Sequence, residues 1–234
     1  MSQIPKAHAV LALAAVMAMA LLMASTGLVA ADTAPGGDAT FTQNGTNANV
    51  SSGGCASNDD GTTTCSQVQI SVFVGKMSDN VSGVSHSSQV CLYLDTSTYS
   101  DATGEGVDGF TYEAGCAVDR HRETLSTGGK LSRVTLAPAT ISIQGFICTD
   151  KETCEPGPVR DEAIAGTWTG QGQIENSNYG SIGNDGICRY KDSLKGSYRE
   201  AGFSGTVGGV DLGSDAAAWI SKGTMTFTSR CVEV

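Results

Sequence analysis

The chain has 234 residues, 24 acidic against 14 basic for a formal charge of −10, with 30 glycines, 8 cysteines and few aromatics. An acidic chain repels nucleic acid and anionic lipid, so neither is expected as a partner. Gly, Ser and Thr in this abundance fit strands and turns and argue against helical packing.

Residues 1–31 read as a secretory signal peptide. Lys6 precedes an apolar stretch from Ala9 to Met23, and the small residues Val29, Ala30 and Ala31 stand before Asp32, where the cut is expected. Losing Lys6 takes the net charge from −10 to −11. No second apolar stretch of spanning length follows, so the mature chain is expected to be secreted and extracellular, with no membrane contact after cleavage.

Residues 32–64 are rich in Gly, Asn, Ser and Thr and read as a polar linker or a loosely held edge segment, with the β domain spanning 65–234. Asn44-Gly-Thr and Asn49-Val-Ser lie here, and Asn80-Val-Ser lies in a loop beyond; all three fit the glycosylation acceptor pattern.

From Cys65 onward the period is two. Val68, Ile70, Val72 and Val74 share one face, which predicts a half-buried strand. A polar loop is expected over 77–88, then a strand carrying Val90, Leu92 and Leu94, a long connection over 95–109 and a strand over 110–118. Val134 and Leu136, then Ile141, Ile143 and Ile147, alternate around Pro138, which calls for two strands, a bulge or an edge. Ile164 and Trp168 share a parity, and glycines 166, 170 and 172 leave room for a large ring to lie on the backbone. Residues 176–186 read as a turn region, Ala201 to Val207 as a strand, Ser214 to Ser221 as one short helix capped by Ser214 or Asp215, and Met225 to Cys231 as the last strand. The fold class is therefore all-β: an antiparallel sandwich or barrel of about eight to ten short strands, an estimate from the alternating runs.

An even cysteine count behind an export signal reads as a disulfide framework. Cys55 and Cys65 bracket the turn Asn58-Asp-Asp-Gly61, and Cys148 and Cys154 bracket a second polar turn, so each is expected to pair locally. Of the rest, Cys91 is assigned to Cys116 and Cys188 to Cys231. The last pair is placed in the core because both members share a face with large apolar residues.

Candidate chemistry is thin. His86 and His121 are not at ligand spacing from any cysteine, so zinc is not expected. Calcium has oxygen-rich segments at Asn58-Asp-Asp-Gly61 and Asn184-Asp-Gly186, both better read as turns, and no cofactor is expected. Gly202-Phe-Ser-Gly205 falls one residue short of a nucleophile elbow. Acidic pairs such as Glu113 with Glu175 can be named, but their separation is not in the sequence. Trp168, Tyr179, Tyr190, Tyr198 and Trp219 either build a sugar platform or pack in the core, and packing is the expectation. The reading that emerges is a secreted, disulfide-stabilised β domain for surface interaction or ligand binding, carbohydrate among the ligands, with no catalytic residue assigned. The alternatives are a secreted hydrolase on a β scaffold and an inhibitor presenting the Cys148–Cys154 loop, with Lys151 as bait, to a protease.

Overall fold

The computed structural model describes residues 38–81, 83–100, 106–119, 125–148, 154–184, 188–213 and 216–231. The chain divides into two units, Met1–Ala34 and Pro35–Val234, and the described residues all belong to the second. The signal peptide expected over 1–31 lies outside them.

Twelve strands follow in order: β1 (Asp38–Ser57), β2 (Thr62–Asp79), β3 (Ser85–Ser100), β4 (Gly106–Val118), β5 (Leu125–Thr127), β6 (Arg133–Cys148), β7 (Cys154–Pro156), β8 (Arg160–Gly170), β9 (Glu175–Asn184), β10 (Cys188–Val207), β11 (Val210–Asp211) and β12 (Ala217–Cys231). Every pairing is antiparallel. β1 pairs β2, β2 pairs β3, β3 pairs β4, β4 pairs β6, β6 pairs β8, β8 pairs β10, β10 pairs β12, and β12 returns to β1. Eight strands thus close in sequence order into an up-and-down barrel, with β5, β7, β9 and β11 as side strands. Closure removes the exposed edges that an open sheet of these strands would carry.

The core is the barrel interior. Val50, Ile70 and Leu92, set opposite one another across β1, β2 and β3, join Ile143, Trp168 and Ile220 in one buried cluster. An eight-stranded barrel is about wide enough for side chains to fill. Here Trp168 and Phe203 fill it, fully and almost fully buried, with ring centroids 4.9 Å apart. Phe203 also supplies the ring that the glycines of β8 make room for: a Cβ on Gly166 would stand 2.5 Å from it.

Several expectations are corrected. Residues 38–57 are not a linker or a loose edge but the first barrel strand, paired along its length with β12 and β2. Its inward positions carry Ala48 and Val50, too few apolar residues to show a strand's alternation. The fold class itself is as expected, all-β and antiparallel, with twelve strands among the described residues, several of them longer than the short runs anticipated. The loop expected over 77–88 shrinks to a turn, because β2 runs to Asp79 and β3 starts at Ser85. Residues 175–184 form a strand, and Ala217–Ile220 are extended strand rather than helix. Ser214 and Asp215, the expected caps, lie outside the described residues. Pro138 sits in a bulge, where the β6–β8 register slips between Leu136 and Ala139.

One feature divides the molecule. Gly75, Gly45, Gly223 and Gly196 stand opposite one another across β2, β1, β12 and β10. A Cβ on Gly45 would lie 2.7 Å from the Gly75 Cα, and one on Gly223 would lie 2.7 Å from the Gly196 Cα, so only glycine permits the approach. Beyond this row the strands continue as a sheet of β9, β10, β12, β1 and the end of β2. β9 takes the place on β10 that β8 holds in the barrel, pairing with 189–198 while β8 pairs with 201–207.

Candidate functional site

Among the described residues, three disulfides tie neighbouring strands: Cys55–Cys65 across the β1–β2 hairpin, Cys91–Cys116 across β3 and β4, and Cys188–Cys231 across β10 and β12. They fit maturation in an oxidising, extracellular-type environment. Cys148 and Cys154 stand opposite each other in the β6–β7 register. Burial departs from expectation. Cys188 and Cys231 are half-buried at the far end of the sheet extension, whereas Cys91 is fully buried.

The barrel lumen is occupied by its own side chains, and one mouth is held by charge. Arg160 donates from Nε and Nη2 to the two oxygens of Glu113, at 3.0 and 2.8 Å, and also pairs with Glu162. Glu113 and Glu162 are largely covered, while Arg160 is 41 % exposed. The hydrogen bonds from Arg160 hold the Glu113 carboxyl below the ordinary range. Both carboxylates are clamped as anions by one guanidinium, an arrangement suited to holding strand ends together and ill suited to donating a proton. Glu113 on β4 and Glu175 on β9 lie on strands that do not pair, and Glu175 accepts from the Tyr198 hydroxyl.

The outer wall carries a different arrangement. Gly53, Gln67, Asp95, Tyr112, Phe146 and Pro156 form one row across β1, β2, β3, β4, β6 and β7. Residues opposite one another in antiparallel strands project from the same face. Beside this row lies an open groove of about 460 Å³, bordered by Ser51, Gly53, Gln67, Asp95, Ser97 and Tyr99. Gln67 donates to the Ser51 hydroxyl at 2.8 Å, and Ser97 donates to the Tyr99 hydroxyl at 2.9 Å. Among the described residues none donates to the Asp95 carboxylate. Burial raises the pKa of Asp95, and burial together with the Asp95 charge raises that of Tyr112. Phe146 and Tyr99 are 54 % and 40 % exposed.

A histidine–carboxylate pair lies at the end of the β3–β4 ladder. His86 Nδ1 is 2.7 Å from Asp119 Oδ2, and Oδ1 of Asp119 accepts from the Ser87 amide at 2.6 Å and the Ser87 hydroxyl at 3.0 Å. The Ser87 amide, then His86, lower the Asp119 pKa to about 2. His86 falls in the polar loop that the sequence predicts over 77–88. The 33-residue separation to Asp119 hid the pair, which only the β3–β4 register creates. His121 lies outside the described residues.

The remaining expectations sort by position. Trp168 is in the core. Tyr179, Tyr190, Tyr198 and Trp219 lie on the outward side of the extension and its border, where Tyr190 stacks on Phe227 at 6.1 Å. Asn49 is 6 % exposed within paired strand, closed to a glycan in the folded chain, while Asn44 is exposed. The Asn80 side chain accepts from the Thr40 amide and donates to the Asp38 carbonyl. Asn58-Asp-Asp-Gly61 is a turn in which Asp60 accepts from the Thr62 amide and hydroxyl, and Gly61 adopts φ 77°. Lys151 and the segment 185–187 lie outside the described residues. No family model matches the chain, and no curated protein or solved structure gives a match.

Proposed function

We propose that this is a secreted, non-catalytic binding domain, with the closed barrel as scaffold and the outer groove along Gln67, Asp95 and Tyr99 as a site for a neutral glycan. The observation that carries the reading is the cross-strand row. It sets an amide and a carboxylate beside two aromatic side chains, Tyr112 and Phe146, next to a groove with glycine along one border. Sugars present hydroxyls along their edge and apolar C–H on their faces, so short planar polar groups next to aromatic rings match both. A rigid β-sheet support lowers the ordering cost of binding. Export fits the disulfides and the leader pattern of residues 1–31.

Titrating the mature protein with a panel of neutral oligosaccharides, followed by Tyr fluorescence or calorimetry, tests the reading. Binding is expected, with a loss of about tenfold in Asp95→Asn and more in Tyr99→Ala, on the order expected when a hydrogen bond to a charged group or an aromatic contact is removed. A panel without binding, or variants that bind like the parent, would overturn it.

A further inference from the structure

The acidic total conceals a basic face. On the extension, the residues that continue the inward parity of the barrel no longer meet a core. Across β9, β10, β12 and β1 they read Asn184, Arg189, Arg230, Asp38 in one row and Ile182, Lys191, Thr228, Thr40 in the next. Then come Ser193, Thr226 and Thr42, and after them Lys195, Thr224, Asn44 and, on β2, Lys76. The last row before the core brings Ser197, Lys222 and Thr46. Among the described residues, six of the chain's 14 cations thus stand on one face, against the single carboxylate of Asp38. All six are exposed. Arg230 is held by Asp38 at 2.7 and 2.8 Å. Lys76, Arg189, Lys191, Lys195 and Lys222 form no ion pair among the described residues.

We infer that this face binds an acidic polysaccharide, a polymer carrying carboxylate or sulfate groups at regular intervals. Three observations select that partner. The cations are spread over four rows rather than converging, with spacings along β10 of roughly 7 and 13 Å for two and four residues, which suits a repeating charge and not one small anion. The ground between them is Thr, Ser and Asn, which supply hydroxyl and amide partners for sugar hydroxyls. Finally, among the described residues the face offers no aromatic ring on which a nucleobase would stack and only Ile182 as an apolar anchor, so single-stranded nucleic acid and a lipid surface lack the contacts they use. Local charge, not the net −10, governs such an encounter once ions screen the rest of the molecule beyond roughly 8 Å.

The inference is independent of the groove around Asp95, which is on the opposite parity and takes neutral ligands. The test uses the mature full chain with fluorescently labelled heparin and polygalacturonate, and with dextran as the neutral control, by anisotropy at 50, 100 and 200 mM salt. Binding to both acidic polymers is expected, weakening at least tenfold across that range, with none to dextran. Lys191→Ser/Lys195→Ser should lose at least tenfold at 50 mM salt with an unchanged melting temperature. Lys76→Ser/Lys222→Ser, on separate strands, should do the same, so that misfolding of one variant leaves the other decisive. Asp95→Asn should bind the acidic polymers like the parent. Binding that salt does not weaken, binding kept by both double variants, absence of binding, or tighter binding to oligo-dT or to vesicles of one-third phosphatidylserine would each overturn the inference.

Discussion

The barrel and its extension are made from the same strands, yet their inward parity meets opposite fates. On β1, Ala48 and Val50 point into a closed core, while Thr40, Thr42 and Asn44, at the same parity, point to solvent. On β12, Ile220 is fully buried and Lys222, two residues on, is exposed. The change falls at the glycine row. Past it the partly buried side is the other one, where Met77 and Gln43 are covered and Tyr190 stacks on Phe227. Strict alternation along a strand therefore specifies two faces but not which is buried; closure of the ring decides that. Four sets of substitutions test this division, from the largest effect down.

Trp168→Ala should cost most. The side chain is fully buried at the centre of the barrel, and truncating a buried Trp typically costs about 3–5 kcal/mol. The loss is expected as a lower urea midpoint with an unchanged slope. Trp168→Phe should be milder, because among the described residues the indole Nε1 has no hydrogen-bond partner to lose. A Trp168→Ala protein as stable as the parent would mean that the barrel is not the folding core.

The disulfides come next. The chain-entropy relation gives roughly 4 kcal/mol for closing the Cys188–Cys231 loop and roughly 3 for Cys55–Cys65, their sequence separations being 43 and 10. Replacing Cys188 and Cys231 with Ser should therefore lower the melting temperature more than replacing Cys55 and Cys65. The reverse order would show that strain or denatured-state structure outweighs loop length. The hairpin pair is visible in the sequence because the two cysteines flank a turn symmetrically, and ladder register then makes them opposite. Cys188 and Cys231 share a face with Tyr190 and Phe227, a signal that records parity but not position. Parity misleads on depth here because the same apolar pattern lines the half-covered side of the extension. β1 escaped for the converse reason: its inward residues are small or polar. The basic face was invisible to a net-charge argument, since its six cations are scattered over three strands and 155 positions, Lys76 to Arg230, and only the register assembles them. The groove along Gln67, Asp95 and Tyr99 was hidden in the same way, the row beside it drawing one residue from each of several strands.

Gly223→Val addresses the boundary itself. The added side chain would drive into Gly196 and the Lys195 backbone, and overpacking of this kind costs about 1–3 kcal/mol. Hydrogen exchange is the informative readout. Amides of β9 and of 188–195 and 224–231 should lose protection while those of 68–72 and 90–92 keep theirs. Uniform loss would show that barrel and extension open as one cooperative unit.

The smallest effect is electrostatic and sits on the barrel side. Asp119 has a folded pKa of about 2, below the roughly 3.9 of an unfolded aspartate. A depressed carboxylate pKa adds stability that is complete above about pH 4 and is lost as the pH falls toward 2. The side chain is 44 % exposed, so solvent screens the pair and the effect is modest. Asp119→Asn should therefore melt lower than the parent at pH 6, and the gap should close as the pH is taken down to 2. His86→Gln should reproduce only part of that gap, because the amide and hydroxyl of Ser87 still hold the carboxylate. A gap independent of pH would show that ionisation of the Asp119 carboxyl is not its source; the backbone is held constant in this comparison, because Asn also tolerates the left-handed φ of 55° at this position.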